Sequence, residues 1–348
     1  MELSVSGFAD ILYPYTAPES TIELTRSKDS RTAKAFFKDD KQPYLLISKS
    51  CTSHIDKINI FQGFCQQYQC SHPAIMAISR VTIAPNNSID AYYKFPENGK
   101  LSDYIGFAHE KLISKPDVLT PTQKTIISYG IAHALRNIHK YDLQFGELNA
   151  KNIYLDSNYH PYLTNFYSIK KINDQRVPEQ KRITKMHQKV DVYSYSIIYA
   201  ALIEPIAFDP PVSSSREFFQ NLSSHKRPVC QLATEKQRKI LDKMWDYVPR
   251  DRIDFNKIIK YFENGSLVFP GTDNEIFEDY KNKLRQFENL SISSAPPSSP
   301  TLSRYSSSSS ASSSSYASPS KVRSPSPKPS PKFIQKLADS VLNNDDSD

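Results

Sequence analysis

Glycine is scarce in this chain. There are 8 glycines among 348 residues, whereas a typical protein has a share of roughly 7%. Glycine lets backbone N–H groups close on a phosphate, because it has no side chain and adopts left-handed backbone conformations without strain. The shortage therefore counts against any chemistry that needs glycine at fixed positions in a loop.

Cysteine is also rare, and its spacing does not indicate a metal site. Cys65 and Cys70 are five residues apart, and no histidine pair accompanies them as a zinc site would require. The other two cysteines, Cys51 and Cys230, stand alone. We therefore expect free thiols in a reducing compartment and no bound metal.

Long apolar runs are missing as well. No stretch approaches the ~18 apolar residues of a membrane span, and the N-terminus lacks the basic start and apolar core of a signal peptide. The formal charge of +7 is spread along the chain and does not form the basic patch of a nucleic-acid-binding protein. The sequence predicts a cytoplasmic protein without membrane or nucleic-acid partners.

The most informative stretch lies between residues 126 and 167. Apolar residues recur at helical spacing from Ile126 to Ile138, which predicts a buried helix. A polar loop follows, and then two short apolar runs, 153–155 and 162–163, flank a turn at 156–158. The order is helix, loop and tight hairpin.

This stretch resembles the catalytic and metal-binding loops of protein kinases, H-R-D-L-x-x-x-N followed by D-F-G. The pattern fits without a gap, and it retains its leucine at Leu148 and its second metal-binding asparagine at Asn152. Glu147 stands at the position of the catalytic aspartate. The D-F-G triplet falls on Asn165, Phe166 and Tyr167.

The resemblance extends toward the N-terminus. Short strands are predicted at 22–24, 35–37 and 44–47, and Lys49 follows the third strand as the ATP-binding lysine does in the family. Counting back from Lys49 places the phosphate-covering loop at 29–34, where Asp, Arg and Lys replace the three glycines. Alternatively, Lys49 is a solvated charge and Ser48 is the aligned position.

A helix is predicted next, with an apolar face that comprises Ile58, Phe61, Cys65 and Tyr68. The turn at 71–75 resembles the H-P-N-I turn of kinases. In the family, a glutamate about nine residues earlier pairs with the strand lysine; that position falls near Gly63 among neutral glutamines. We therefore do not expect the ion pair that organises an active kinase.

The hinge and second lobe resemble the family too, with features of tyrosine kinases at 91–105 and around Trp245. Residues 177–179 take the place of the A-P-E motif. The resemblance implies that Glu179 pairs with Arg252 and that Asp191 accepts hydrogen bonds from the catalytic-loop backbone.

The predicted fold class is α+β: a bilobal protein-kinase-like fold with a small β-rich N-lobe, a larger helical C-lobe and a disordered C-terminal tail. The predicted segments are an N-terminal extension (1–20), the kinase-like domain (21–265; lobes 21–90 and 96–265), a helix (266–290), a Ser/Pro-rich disordered linker (291–332) and a short amphipathic tail (333–348). The helix either packs on the domain or leads out of it.

The Ser/Pro-rich segment is too poor in apolar residues to fold alone. It carries serines followed by proline, which are acceptor sites for proline-directed kinases: Ser299, Ser318, Ser324, Ser326 and Ser330. The alternative is an unmodified, solvated tail. The amphipathic end is either a docking helix for a partner or a frayed terminus.

The substitutions at the reactive positions predict impaired chemistry. Asn165 offers a neutral carbonyl where magnesium beside phosphates prefers a carboxylate. The extra methylene of Glu147 displaces its carboxylate by about 1 Å, and such a misplacement can cost on the order of a hundredfold in rate. Asn152 is either a surviving metal ligand or an asparagine that caps its own backbone.

These features predict a pseudokinase that acts in signalling by binding and scaffolding proteins, with neither ATP nor magnesium expected as a cofactor. Two alternatives are a weakly active protein kinase that uses Glu147 and Lys49, and a switch that binds ATP without transferring phosphate. The sequence does not identify the partner.

Overall fold

The computed structural model describes residues 11–106, 119–166, 170–171, 180–209 and 226–293, together with six residues between 214 and 224. These residues form a β-sheet lobe followed by a helical lobe, which confirms the predicted fold class. The predicted tail and its five Ser-Pro sites lie outside the described residues. None of the helices in the described ranges is both long and apolar enough to cross a bilayer.

The first lobe is built on a five-stranded antiparallel sheet in the order β1-β2-β3-β5-β4. Its strands are β1 Ser20–Arg26, β2 Ser30–Phe37, β3 Asp40–Lys49, β4 Ile78–Ile83 and β5 Ile89–Lys94. Because β5 runs to Lys94, the lobe extends four residues beyond the predicted boundary. It also includes part of the predicted extension, since Leu12 is buried and forms a bridge with Val81.

The predicted position of the phosphate-covering loop was wrong. Arg31 pairs with Ser48 and Lys34 pairs with Leu45, so both lie inside β2. The turn between β1 and β2 is at 27–29, where Ser27 N–H donates to the Ser30 carbonyl (2.8 Å). The error arose because the loop was located by counting back from Lys49, whereas β1 continues beyond the predicted strand at 22–24 to Arg26 and β2 already begins at Ser30.

Helix α1, His54–Gln69, connects β3 to β4 and begins at a capping box formed by Ser53 and Asp56. Its buried residues are Ile60, Phe61, Gly63, Phe64 and Gln67. The predicted face was therefore rotated, and Tyr68, which was predicted to be buried, is exposed. The apolar pattern missed Gln67, whose Nε2 donates to the buried Met76 carbonyl at 2.7 Å.

In the described part of the second lobe, five longer α-helices accompany two short antiparallel strand pairs. The helices are α2 Pro121–Lys140, α3 Gln180–Ile203, α4 Glu235–Met244, α5 Phe255–Glu263 and α6 Asn274–Ser293. The strands are β6 Leu143–Gln144, β7 Ile153–Leu155, β8 Pro161–Leu163 and β9 Lys170–Lys171, paired as β6-β9 and β7-β8. Helix α2 is buried along most of its length and forms the centre of this lobe.

Helix α6 packs beside α2. Of the two predicted alternatives, packing on the domain or leading out of it, the described residues of this helix therefore follow the first. The Phe277 and Tyr129 rings meet edge-to-face at 5.2 Å. One turn later, Gly130 leaves space for the Tyr280 hydroxyl, because a Cβ at Gly130 would lie 2.3 Å from that oxygen. Later residues of α2 contact later residues of α6, from Tyr129 with Phe277 to Arg136 with Glu288. The two helices are therefore parallel.

Candidate functional site

The loop at 145–152 is held in place by Asp191 from α3. The Asp191 carboxylate is 1% exposed and accepts the N–H groups of Phe145 and Gly146, each at 2.8 Å. His139 Nε2 lies 2.8 Å from the same carboxylate. Gly146 has a φ of +82°, a conformation that favours glycine. The backbone interactions expected of Asp191 are therefore present.

Glu147 and Asn165, both in the second lobe, contact each other beside the cleft between the two lobes. Asn165 Nδ2 donates to Glu147 Oε2 at 3.3 Å. Asn165 has a φ of +69°, and asparagine is one of the few residues besides glycine that adopt this region readily. The structure thus brings together the two residues that replace the catalytic and magnesium-binding aspartates.

Asn152 contacts the backbone of the same loop. Its Nδ2 donates to the Glu147 carbonyl at 2.9 Å, and its own carbonyl accepts Thr164 N–H at 2.9 Å. The amide nitrogen therefore stabilises the loop. The side-chain oxygen is the atom that would hold a metal, so this contact fits either role considered for Asn152.

Lys49 ends β3 and faces the same region. Burial lowers the pKa of Lys49, while the carboxylates of Glu147 and Asp29 act in the opposite direction. Gly63, near which the resemblance places the helix glutamate of an active kinase, is buried in α1. The acidic groups that act on Lys49 thus come from the catalytic loop and the β1–β2 turn.

Tyr154 is the cleft residue that sequence reasoning missed. It lies on β7 of the second lobe, is 4% exposed, and packs in the same apolar cluster as Leu45 and Ile47 of the first lobe. Burial raises the pKa of Tyr154, and the nearby Thr32 side chain of β2 acts in the opposite direction. Thr32 pairs with Ile47 in the sheet of the first lobe. The Tyr154 side chain therefore spans the cleft from the second lobe, which forms its floor, to the first lobe, which forms its roof.

A cavity of about 270 Å³ remains at the mouth of the cleft. It is lined by Leu24, Thr25, Leu45, Phe95, Pro96, Glu97, Gly99, Lys100, Asp103 and Tyr154. Along β3, Leu45 lines this cavity, Ile47 lies one step inward and Lys49 lies at the far end. Tyr154 packs beside Ile47 and therefore lies between the mouth cavity and Lys49. The sequence did contain a signal for this role, because Tyr154 is a bulky aromatic residue two positions after Asn152.

Arg252 occupies a half-buried site in the second lobe. Its guanidinium donates to the carbonyls of Lys189 (2.9 Å) and Asp246 (2.8 Å) and lies 4.8 Å from the Tyr193 ring centre. Glu179 and Tyr167 lie outside the described residues, so the ion pair between Glu179 and Arg252 stays a prediction.

Within the described residues, the one group of potential metal ligands is His72, His133 and Glu288, whose ligand atoms lie within 4.8 Å of one another. His72 Nδ1 accepts the Ala74 N–H at 3.0 Å, and His133 Nδ1 lies 3.0 Å from a guanidinium nitrogen of Arg136. Because a backbone N–H only donates, His72 Nδ1 is an acceptor and its Nε2 carries the proton. His133 Nδ1 also lies 3.4 Å from Glu288 Oε1. The His72 imidazole then offers no free lone pair, so the trio does not supply three metal ligands.

Because His72 and His133 are buried, we expect the free energy of unfolding to decrease in acid. Burial lowers the pKa of His72 to about 3 and also lowers the pKa of His133. The unfolded chain therefore binds protons below about pH 6.5 that the folded chain does not, so stability is complete above that pH and falls as the pH decreases. For His72 alone, the loss between pH 7.5 and pH 5 is about 2 kcal/mol.

Urea unfolding at several pH values tests this expectation. His72→Asn keeps an acceptor for the Ala74 N–H but removes the titrating ring, so we expect a shallower pH dependence than in the unaltered chain. An unchanged slope in this variant would show that His72 is not the group responsible.

Comparison with known proteins adds to this geometry. Residues 36–262 match the model of the family described as protein tyrosine and serine/threonine kinase. One relative, the dual specificity protein kinase pyk3 of Dictyostelium discoideum, is 23% identical over 57% of the chain. Another, the LRR receptor-like serine/threonine-protein kinase ER1 of Oryza sativa subsp. japonica, is 26% identical over 38% of the chain. In each case the match covers 15% of the relative's length. The chain belongs to the protein tyrosine and serine/threonine kinase family.

Proposed function

We propose that this kinase-family chain is a pseudokinase that acts in signalling by binding proteins. The observation that carries the proposal is Tyr154, which joins the floor of the cleft to its roof between the apolar mouth and Lys49. A nucleotide must place its base at the mouth and its phosphates near the lysine. Tyr154 occupies the path between them.

The polar end of the cleft supports the same proposal. Phosphoryl transfer needs magnesium to neutralise the phosphates, and magnesium is bound through carboxylates. Asn165 supplies none, and the Glu147 carboxylate accepts a hydrogen bond from Asn165 and attracts Lys49. The groups that would hold metal and phosphate therefore interact with one another.

The roof of the cleft lacks a phosphate-binding loop. The turn between β1 and β2 reads Ser27-Lys28-Asp29 and contains no glycine. Side chains at every position prevent the close backbone approach that phosphate binding uses. The turn at 27–29 therefore lacks glycine, as does the loop predicted at 29–34.

A weakly active kinase is the second candidate. It is favoured by the proximity of Lys49 and Glu147, since the lysine could bind phosphate and the glutamate could accept a proton. The names of the two relatives describe kinases of dual and of serine/threonine specificity, so a tyrosine-kinase-like character for this chain rests on the hinge and Trp245 motifs alone. An ATP-binding switch is the third candidate, because the mouth cavity is large enough for a base.

A phosphotransfer assay separates the first two candidates. The full chain is incubated with labelled ATP, magnesium or manganese, and a general acceptor protein. We expect incorporation no higher than that of Glu147→Ala, because neither protein supports transfer. Incorporation that Glu147→Ala abolishes would establish the kinase activity and overturn the proposal.

A further inference from the structure

A groove of about 370 Å³ lies on the second lobe, away from the cleft, where α2, α3 and α5 meet. Its lining residues are Arg136, His139, Lys140, Gln188, Lys189, Val192, Asp254, Phe255 and Asn256. The function proposed above makes no use of this groove. Its size and its mixture of charged and apolar residues suit a short peptide segment.

The groove is lined by more cationic than acidic side chains. Arg136, Lys140 and Lys189 contribute three positive charges, and Asp254 is the acidic residue in the lining. Glu288 pairs with Arg136 from α6 and reduces the excess. Lys140 is exposed at the end of α2, where a cation also stabilises the helix end.

The apolar part of the groove is aromatic. The rings of His139 and Phe255 meet at 5.2 Å, and Val192 lies beside them in the lining. Phe255 and Val192 are almost fully buried, so the partly exposed His139 ring is the part of this cluster that a proline ring can cover. The neighbouring ammonium and guanidinium groups suit a phosphate. The combination matches a phosphorylated serine followed by proline.

The chain leaves the described structure close to this groove. Helix α6 runs parallel to α2 and brings Glu288 onto Arg136, which lines the groove. Five further residues of helix extend about 7.5 Å to Ser293. From there, six extended residues span up to about 20 Å, which is sufficient to bring Ser299 back to Arg136 or Lys140.

We propose that phosphorylated Ser299 and Pro300 of the chain's own tail dock in this groove. The phosphate contacts Lys140 and its cationic neighbours, and Pro300 packs against the partly exposed His139 ring. Phosphorylation adds about two negative charges, which these cations attract, whereas an unmodified serine offers them no charge. Docking therefore depends on the modification predicted for the Ser-Pro sites, and it is independent of whether the cleft binds nucleotide.

A peptide-binding experiment tests the site. A fluorescent peptide with the sequence of residues 294–305, phosphorylated at Ser299, is titrated with full-length Ser299→Ala protein, whose own tail cannot compete as a phosphopeptide. We expect saturable binding that Lys140→Glu weakens at least about tenfold, as loss of a strong charged contact does. Lys239→Glu, at an exposed lysine of α4 outside the groove, serves as the control and should leave binding unchanged.

The outcomes are distinct. No binding, equal binding of the unphosphorylated peptide, or equal weakening by Lys140→Glu and Lys239→Glu would overturn the proposal. Thermal midpoints of both variants show that they remain folded. Sedimentation of the full chain phosphorylated at Ser299 should show a monomer, whereas concentration-dependent dimers would assign the groove to the tail of a second copy.

Discussion

Replacing Asp191 with alanine should lower the free energy of unfolding by about 3–5 kcal/mol. The carboxylate accepts two backbone N–H groups and contacts His139. Alanine would leave these donors buried without an acceptor, and each unsatisfied buried group costs about 1–3 kcal/mol. Because the bonded N–H groups belong to Phe145 and Gly146, the catalytic-type loop should lose its conformation first.

Denaturant unfolding of three variants measures this effect. Asp191→Asn retains one acceptor oxygen and should give an intermediate loss. Asp279→Ala, at an exposed position on α6, is the matched control and should change stability by less than about 0.5 kcal/mol. If Asp191→Ala unfolds together with the control, Asp191 does not organise the second lobe as described.

Replacing Tyr154 with alanine should cost a similar amount, about 3–5 kcal/mol, as removal of a large buried ring generally does. The ring lies in the first-lobe core although its backbone belongs to the second lobe. Its loss would therefore remove a contact that joins the lobes and would leave an opening between the mouth cavity and Lys49.

A graded series identifies the source of this stability. Tyr154→Phe removes only the hydroxyl beside Thr32 and should cost no more than about 1 kcal/mol, whereas Tyr154→Ala also removes the packing. Tyr247→Ala, at a tyrosine that is 60% exposed, is the control and should have little effect. A loss below about 1 kcal/mol for Tyr154→Ala would mean that the ring does not fill the cleft.

The second lobe was predictable because its signals are local. Asn152, Leu148 and the hairpin at 153–163 lie within one short stretch, so a fixed spacing determines both the loop and the strands that follow it. Asp191 could be assigned in the same way from the helix that contains it. These residues lie where the motif spacing predicted.

The first lobe was harder to predict, since its register depends on partners far along the chain. Strand β1 is exposed throughout, so burial does not mark where it ends, and the position of the turn at 27–29 followed only from the pairing of β1 with β2. The burial of Gln67 depends on the Met76 carbonyl, which no apolar pattern reveals.

The contact of Tyr154 with Thr32 shows the same limit at the site. The two residues are more than one hundred positions apart, and they meet because the lobes close on each other. Sequence spacing gives the position of Tyr154 on its strand but does not give the distance between the lobes. The role of this tyrosine therefore required the three-dimensional arrangement.

The most direct test of the proposed pseudokinase is thermal unfolding of the full chain with and without millimolar Mg-ATP. We expect no change in the midpoint, because Tyr154 and the pairing of Glu147 with Asn165 occupy the nucleotide site. A ligand present at one hundred times its dissociation constant adds about 2.7 kcal/mol, equivalent to a shift of roughly 5–10 °C for a domain of this size. A magnesium-dependent shift of that size would contradict the account and show that the cleft binds nucleotide.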